Sequence, residues 1–252
     1  MDGALELRRL EELALRASRT GRPQFTRFLE PALLEAAGRA AGGQRVRVRL
    51  FGGYPDAERV MAAFYDFDEP SDADFPLRIL RVTWNPKFAS PGHRDLLGAV
   101  MGLGIEREAV GDIAMARWRD APCAALFATA EMADYIAANL DSAGRAAVKA
   151  EVVDALPEIV PPEGRELRVT VQQPRLDAVL AAGYDLSRAQ AQRLVAAGLV
   201  RLNHVPCLRT DAQVAPGDMI SARGHGRLKV VDAPGQSRRG RQVLALFRYG
   251  KS

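Results

Sequence analysis

Leu7, Leu10, Leu13, Ala14 and Ala17 recur at steps of three and four among charged residues, the spacing of one apolar helix face. Gly21-Arg22-Pro23 closes that run. An alanine-rich stretch after Pro31 predicts a second helix ending at Gly42-Gly43. Val46-Arg47-Val48-Arg49-Leu50 alternates with period two, which predicts a strand with one wet face. The next stretch, Phe51-Gly52-Gly53-Tyr54-Pro55-Asp56-Ala57-Glu58-Arg59, reads as a turn entering a short helix. Acidic, turn-rich Glu69-Pro70-Ser71-Asp72-Ala73-Asp74 predicts a boundary, so the first segment is an N-terminal α/β unit over residues 1–72.

From 73 to 156 the pattern gives a strand at 77–84 and a helix at 93–103, stopped by Gly102-Leu103-Gly104. Strands at 112–116 and 123–129, a helix at 131–140 and a strand at 146–153 follow. The order βαββαβ is the ferredoxin- or RRM-like arrangement, which by itself says little about function. Its strands carry no visible aromatic signature for stacking RNA bases. Pro157, Pro161 and Pro162 mark residues 157–164 as a linker.

The third segment, 166–252, opens with a strand at 166–172 and a short helix at 175–182 that Gly183 is expected to end. A second helix is capped by Ser187 and ended by Gly198. Short strands at 200–203 and 243–247, and a Pro-Gly-Asp turn with another strand within 214–222, alternate with a turn at His204-Val205-Pro206 and basic turns at 223–227 and 237–241. The predicted fold class is α+β.

Composition adds little until it is divided. With 252 residues, 48% of them apolar and 26% charged, the chain can bury a core without staples. No apolar run approaches the roughly 20 residues that span a bilayer, and Met1 to Arg9 lacks an apolar export signal. Cys123 and Cys207 are isolated from each other, which fits a reducing cytoplasm. The net charge of +4 separates into 22 Lys and Arg against 26 Asp and Glu before Arg175, and 13 against 5 from Arg175 onward. A basic module on a mildly acidic body points to a polyanion: RNA, DNA or an anionic membrane. An arginine-rich solvated surface is the plainer alternative.

Within that module, Arg188 stands in the first turn of the second helix, where the helix dipole disfavours a cation. An anion docked on the Ser187 cap would offset this cost. Gln192 shares the flank of Arg188, while Arg193 points farther round. Charge reversal at Arg188 is expected to remove RNA binding without unfolding the protein. Arg175, Arg193, Arg223, Arg227 and Lys229 complete a candidate phosphate-binding set drawn from the helices and basic turns.

Two further resemblances narrow the reading. The run Ser187-Arg188…Leu194-Val195-Ala196-Ala197-Gly198-Leu199-Val200-Arg201-Leu202-Asn203…Gly217-Asp218-Met219-Ile220 resembles the S4-like RNA-binding domain. Phe51-Gly52-Gly53-Tyr54…Ala57-Glu58-Arg59, the stretch from His93-Arg94-Asp95 to Gly111-Asp112-Ile113, and Gly224-His225-Gly226-Arg227 are similar to the YlmH family, in that family's order. The resemblance implies a non-catalytic RNA-binding protein that binds ribosomal RNA on the large ribosomal subunit in ribosome-associated quality control. By position it implies RNA contacts from Ser187, Arg188, Gln192, Arg201 and Asn203. Ribosomal RNA and the large subunit are the implied partners, with tRNA as a further candidate. A cytoplasmic monomer is expected, with no membrane, no cofactor and no metal.

Two other classes stay open. An RNA-modifying enzyme, of the pseudouridine synthase or methyltransferase type, can carry the same module for substrate binding. A helix-turn-helix DNA regulator would use the two helices at 175–198, although the second presents few base-reading side chains.

Overall fold

The computed structural model describes residues 2–55, 57–237 and 240–250. Arg238 and Arg239 of the expected basic turn lie outside the described residues. The chain divides into two compact units, Met1–Pro161 and Pro162–Ser252, with the division inside the proline-rich linker.

In the first unit, helix α1 (Asp2–Thr20) buries Leu10, Ala14 and Ala17 against Ala36, Ala37, Ala40 and Ala41 of α2 (Leu34–Gly43). Alanines on both partners allow a close approach. Beneath them lies an antiparallel sheet of β1 (Gln24–Phe25), β2 (Arg47–Phe51) and β3 (Met61–Tyr65), in the order β1-β3-β2. The turn after Phe51 leads into strand β3 and not into the short helix expected. Every residue of β3 is buried, so it shows no alternation from which a strand could be read. Ala62 and Phe64 face the helices, while Met61 and Ala63 face the opposite way into a second core.

That second core is shared with the βαββαβ region. Strands β4 (Leu77–Trp84), β5 (Val110–Trp118), β6 (Ala121–Thr129), β7 (Ser142–Ala143), β8 (Ala146–Val153) and β9 (Glu158–Ile159) form one sheet, ordered β7-β8-β4-β6-β5-β9. Helices α3 (His93–Gly102) and α4 (Ala130–Asn139) cover one face through Leu96, Val100 and Ile136. On the other face Cys123, Ala125 and Phe127 are buried under Phe28, Met61, Ala63 and Phe75. The N-terminal sheet therefore occupies the central part of the open face that an isolated RRM-like sheet would offer to RNA.

The motif around Phe51 has its explanation in this junction. A Cβ on Gly52 would lie 2.5 Å from the Arg59 carbonyl, and one on Gly53 2.2 Å from the Phe127 ring. Gly53 also has a φ of +96°, and Tyr54 stacks on Phe127 at 5.1 Å between centroids. Gly53→Ala is expected to destabilise the first unit by about 1–3 kcal/mol from the ring clash alone, with backbone strain added. Thermal unfolding followed by tryptophan fluorescence checks this, because Trp84 and Trp118 both lie in that unit. An unchanged midpoint would contradict it.

In the second unit, β10 (Gly164–Val171), β11 (Val200–Leu202), β12 (Val205–Pro206), β13 (Met219–Ala222), β14 (Gly226–Gln236) and β15 (Gln242–Tyr249) form an antiparallel sheet ordered β10-β15-β14-β13-β11-β12. Helices α5 (Leu176–Tyr184) and α6 (Arg188–Ala196) pack on one face, burying Leu176, Leu180 and Val195 with Ile220, Leu228 and Leu246. Gly183 does not end α5. The helix continues to Tyr184, and Asp185 takes the left-handed cap at φ +57°. Gly183 instead permits close packing, since a Cβ there would lie 2.4 Å from Leu228 Cδ1. The expected turn at His204-Val205-Pro206 also shifts by one residue. Asn203 and His204, at φ +49° and +68°, are the two central residues between paired Leu202 and Val205, the backbone of a type I′ hairpin.

Candidate nucleic-acid interface

The ten candidate residues do not form one patch. They separate into a group at the start of α5 and α6, a group on the outer face of the sheet, two positions on the periphery, and Asn203 in a hairpin turn.

Asp177 organises the first group. It lies in the first turn of α5, on a helix that is otherwise almost wholly apolar, and its side chain is 0% exposed. Arg188 Nη2 donates to its Oδ1 at 3.0 Å, and Gln192 Nε2 donates to its Oδ2 at 2.9 Å. Arg175 Nη2 reaches the same Oδ2 at 3.3 Å. Burial pushes the carboxyl's pKa up. The hydrogen bonds from Gln192 and Arg188 and the charges of Arg188 and Arg175 outweigh that, so it stays below the ordinary carboxylate value.

Spacing explains the convergence. Arg188 and Gln192 are one helical turn apart on α6, so both reach the same point on α5. The anion that offsets Arg188 at the helix start is thus supplied internally, although the Arg188 side chain stays 50% exposed. Charge reversal at Arg188 would set a second carboxylate against buried Asp177, so it perturbs folding as well as binding.

Ser187 forms a reciprocal capping box. Its Oγ accepts from Gln190 N–H at 3.2 Å, and its own N–H donates to Gln190 Oε1 at 2.8 Å. Gly198, at φ +69°, closes the helix while Leu199 N–H donates to the Leu194 carbonyl at 3.1 Å. The cap expected from sequence is present at both ends.

Strand register gives the second group. Arg201 on β11 pairs with Ser221 on β13, and Ser221 pairs with Arg227 on β14. Residues directly opposite share a face, so these three form a row on the side away from the helices. Lys229 lies two residues along β14 on the same face. Arg201 is exposed, and Arg227 and Lys229 are half-buried.

Arg193 and Arg223 are exposed and stand apart from both groups. Arg193 borders a hollow of about 350 Å³ with Gln190, Leu194 and His225. Arg223 lies on the β13–β14 turn, held by its N–H to the Leu199 carbonyl at 2.9 Å. Asn203 serves the hairpin: its Nδ2 donates to Asp218 Oδ1 at 2.7 Å and its Oδ1 accepts from Met219 N–H at 2.9 Å.

Asp177 is the member of this cluster that the sequence pattern alone did not single out. Its signal was present, since a lone acid between Leu176 and Ala178 on a buried helix must find cationic or donor partners.

Comparison with known proteins adds an independent line. Residues 70–156 match the family described as "Putative RNA-binding domain in YlmH", and residues 174–220 match the S4 domain. The "Ribosome-associated protein quality control protein P2" of Bacillus subtilis (strain 168) is 35% identical over 241 residues, 95% of this chain and 90% of that protein. A solved structure, "Cell division protein ylmH from Streptococcus pneumoniae", aligns at 22% identity with a TM-score of 0.49, covering 61% of this chain and 92% of that chain.

Proposed function

Because the chain belongs to the YlmH family of S4-domain RNA-binding proteins, we propose that it binds ribosomal RNA on the large ribosomal subunit. Its task there is ribosome-associated quality control of stalled translation, performed in the cytoplasm as a monomer that binds without catalysing. The carrying observation is the arginine-rich start of α5 and α6. Arg175 and Arg188 are fixed by one buried carboxylate while Arg188 remains half exposed. A guanidinium already held in place loses little freedom when its remaining donors meet a phosphate. The surplus of cations over acids from Arg175 onward supplies the long-range attraction. The B. subtilis relative, named for ribosome-associated quality control, supports the ribosome as the location. Stalled peptidyl-tRNA is then a neighbour of the bound protein.

The test is sedimentation of the full chain with purified large subunits through sucrose gradients at rising salt. Wild type should co-sediment at low salt. If six to ten phosphates are contacted, binding should fall by roughly 10³–10⁵-fold between 50 and 200 mM salt. Arg193→Glu with Arg223→Glu, both at exposed positions outside the Asp177 cluster, should weaken co-sedimentation by lowering the module's positive charge while leaving its unfolding transition unchanged. Wild type that stays at the top of the gradient at low salt would overturn the proposal.

A further inference from the structure

The outer face of the second unit's sheet carries aromatic side chains as well as cations. On β15, Leu244 and Leu246 point into the core beneath the helices, so Phe247 and Tyr249 lie on the opposite side. Strand register agrees, because Lys229 is directly opposite Phe247. The two rings meet edge to face, with centroids 5.0 Å apart and planes at 82°. The Arg227 guanidinium lies 4.8 Å from the Tyr249 centroid. Phe247 rests over Gly164 of the edge strand, where a Cβ would lie 2.6 Å from the ring. The glycine thus lets the ring settle against the sheet.

Arg227 continues through Ser221 to Arg201, so the cations track away from the rings across the strands. Arg168 adds a further charge on β10, opposite Ala245. Among the described strand residues, Glu166, opposite Phe247, and Asp232, opposite Ala245, are the acids on this face. Four cations against two acids leave those strand residues net positive.

We propose that this face is a second RNA-contacting surface. It takes unpaired nucleotides, with bases against Phe247 and Tyr249 and the backbone along Lys229, Arg227 and Arg201. The inference rests on the RNA-binding reading above and assigns the sheet a task separate from the α5–α6 cluster. Duplex RNA keeps its bases stacked inside the helix and meets proteins through phosphates and shape, whereas unpaired bases expose faces that aromatic rings can stack on. Aromatic rings flanked by arginine on a strand surface match the second chemistry. Protein interfaces also draw on aromatic rings and arginine but are depleted in lysine and in charge at their centre, so the row of cations through Lys229, Arg227 and Arg201 favours a polyanion.

The full chain is titrated with a short oligouridine and with a blunt-ended RNA hairpin, read by fluorescence anisotropy. Phe247→Leu and Tyr249→Leu should each weaken oligouridine binding about 10-fold and change hairpin binding by less than about twofold. With wild type alone, a 2-aminopurine placed within the oligonucleotide should lose fluorescence on binding, as a stacked base does. This readout needs no variant to fold. Unchanged oligouridine binding in both leucine variants, equal weakening toward both RNAs, or an unquenched probe overturns the inference. Wild type that binds neither RNA and also fails to co-sediment with large subunits at low salt overturns the RNA-binding reading itself. Absence of wild-type oligouridine binding alone overturns only the sheet surface, so the two failures are distinguishable.

Discussion

Arg59→Met is expected to destabilise the first unit by about 3–5 kcal/mol, the range for losing one partner of a buried charged network. Arg59 is 7% exposed. Its Nε donates to the Val110 carbonyl at 3.1 Å, and Nη2 donates to the carbonyls of Phe28 and Arg107, each at 3.2 Å. One guanidinium thereby satisfies main-chain acceptors from the N-terminal segment and from the start of β5. Methionine fills much of the volume but leaves those acceptors facing apolar atoms. Burial lowers the pKa of Arg59 and carries that of its neighbour Arg107 down to about 10. Both shifts reflect how little water reaches this junction. Denaturant unfolding followed by Trp84 and Trp118 fluorescence reads the loss in the first unit directly. A shift below about 1 kcal/mol would show that the carbonyls find other donors.

Asp112 completes the same junction from the other side. It accepts from Glu58 N–H at 2.7 Å, Tyr54 Oη at 3.0 Å and Arg59 N–H at 3.2 Å. The motif residues around Tyr54 and Arg59 and the Gly111-Asp112 pair, separated by some fifty positions, are therefore one structural device. Gly111 belongs to it too, since a Cβ there would lie 2.6 Å from the Phe28 ring. The most distinctive sequence motifs of the first unit thus close a core.

This explains which parts of the molecule could be read from sequence. Elements with one wet face were legible, because α1, β2, β4, β8 and α6 alternate or repeat at their own period, whereas β6, buried on both faces, was legible only as an apolar run long enough to stand out. Strand β3 was not, because Met61–Tyr65 is covered on both faces and its five residues offer no contrast. The end of α5 was misplaced at Gly183 for a related reason. Glycine suits both a helix stop and a tight helix–sheet contact, and only the position of Leu228 decides between them. The Asn203-His204 turn was displaced because a type I′ turn usually carries glycine at its second position, whereas here a histidine takes the left-handed conformation. Within the candidate interface, Arg188 and Gln192 were correctly placed on one flank. Their common partner Asp177 could be located only through the packing of α5 on α6.

Arg188→Glu is expected to destabilise the second unit by about 3–5 kcal/mol, because it replaces a cation bonded to a fully buried carboxylate with a second anion. Asp177→Ala is expected to cost less. Arg175 and Arg188 retain partial exposure, and each can turn its charge toward water once the carboxylate is gone. Combining the two substitutions should recover part of the Arg188→Glu loss, since the repelling pair no longer exists. Amide hydrogen exchange across α5 and α6 measures all three variants without interference from the first unit. Additive losses in the double variant would refute the coupling.

Acid provides a second reading of the same contact. The folded-state pKa of Asp177 is held below its unfolded value. Its stabilising contribution is therefore present above the ordinary carboxylate range and lost as pH falls through the lower folded value. Asp112 carries the opposite sign, because burial raises its pKa and protonation favours its folded environment. Between neutral pH and about pH 3, exchange in α5 and α6 should accelerate beyond its intrinsic pH dependence in wild type, and much less in Asp177→Ala. Equal acceleration in both proteins would mean that another carboxylate governs the acid response of the α5–α6 cluster.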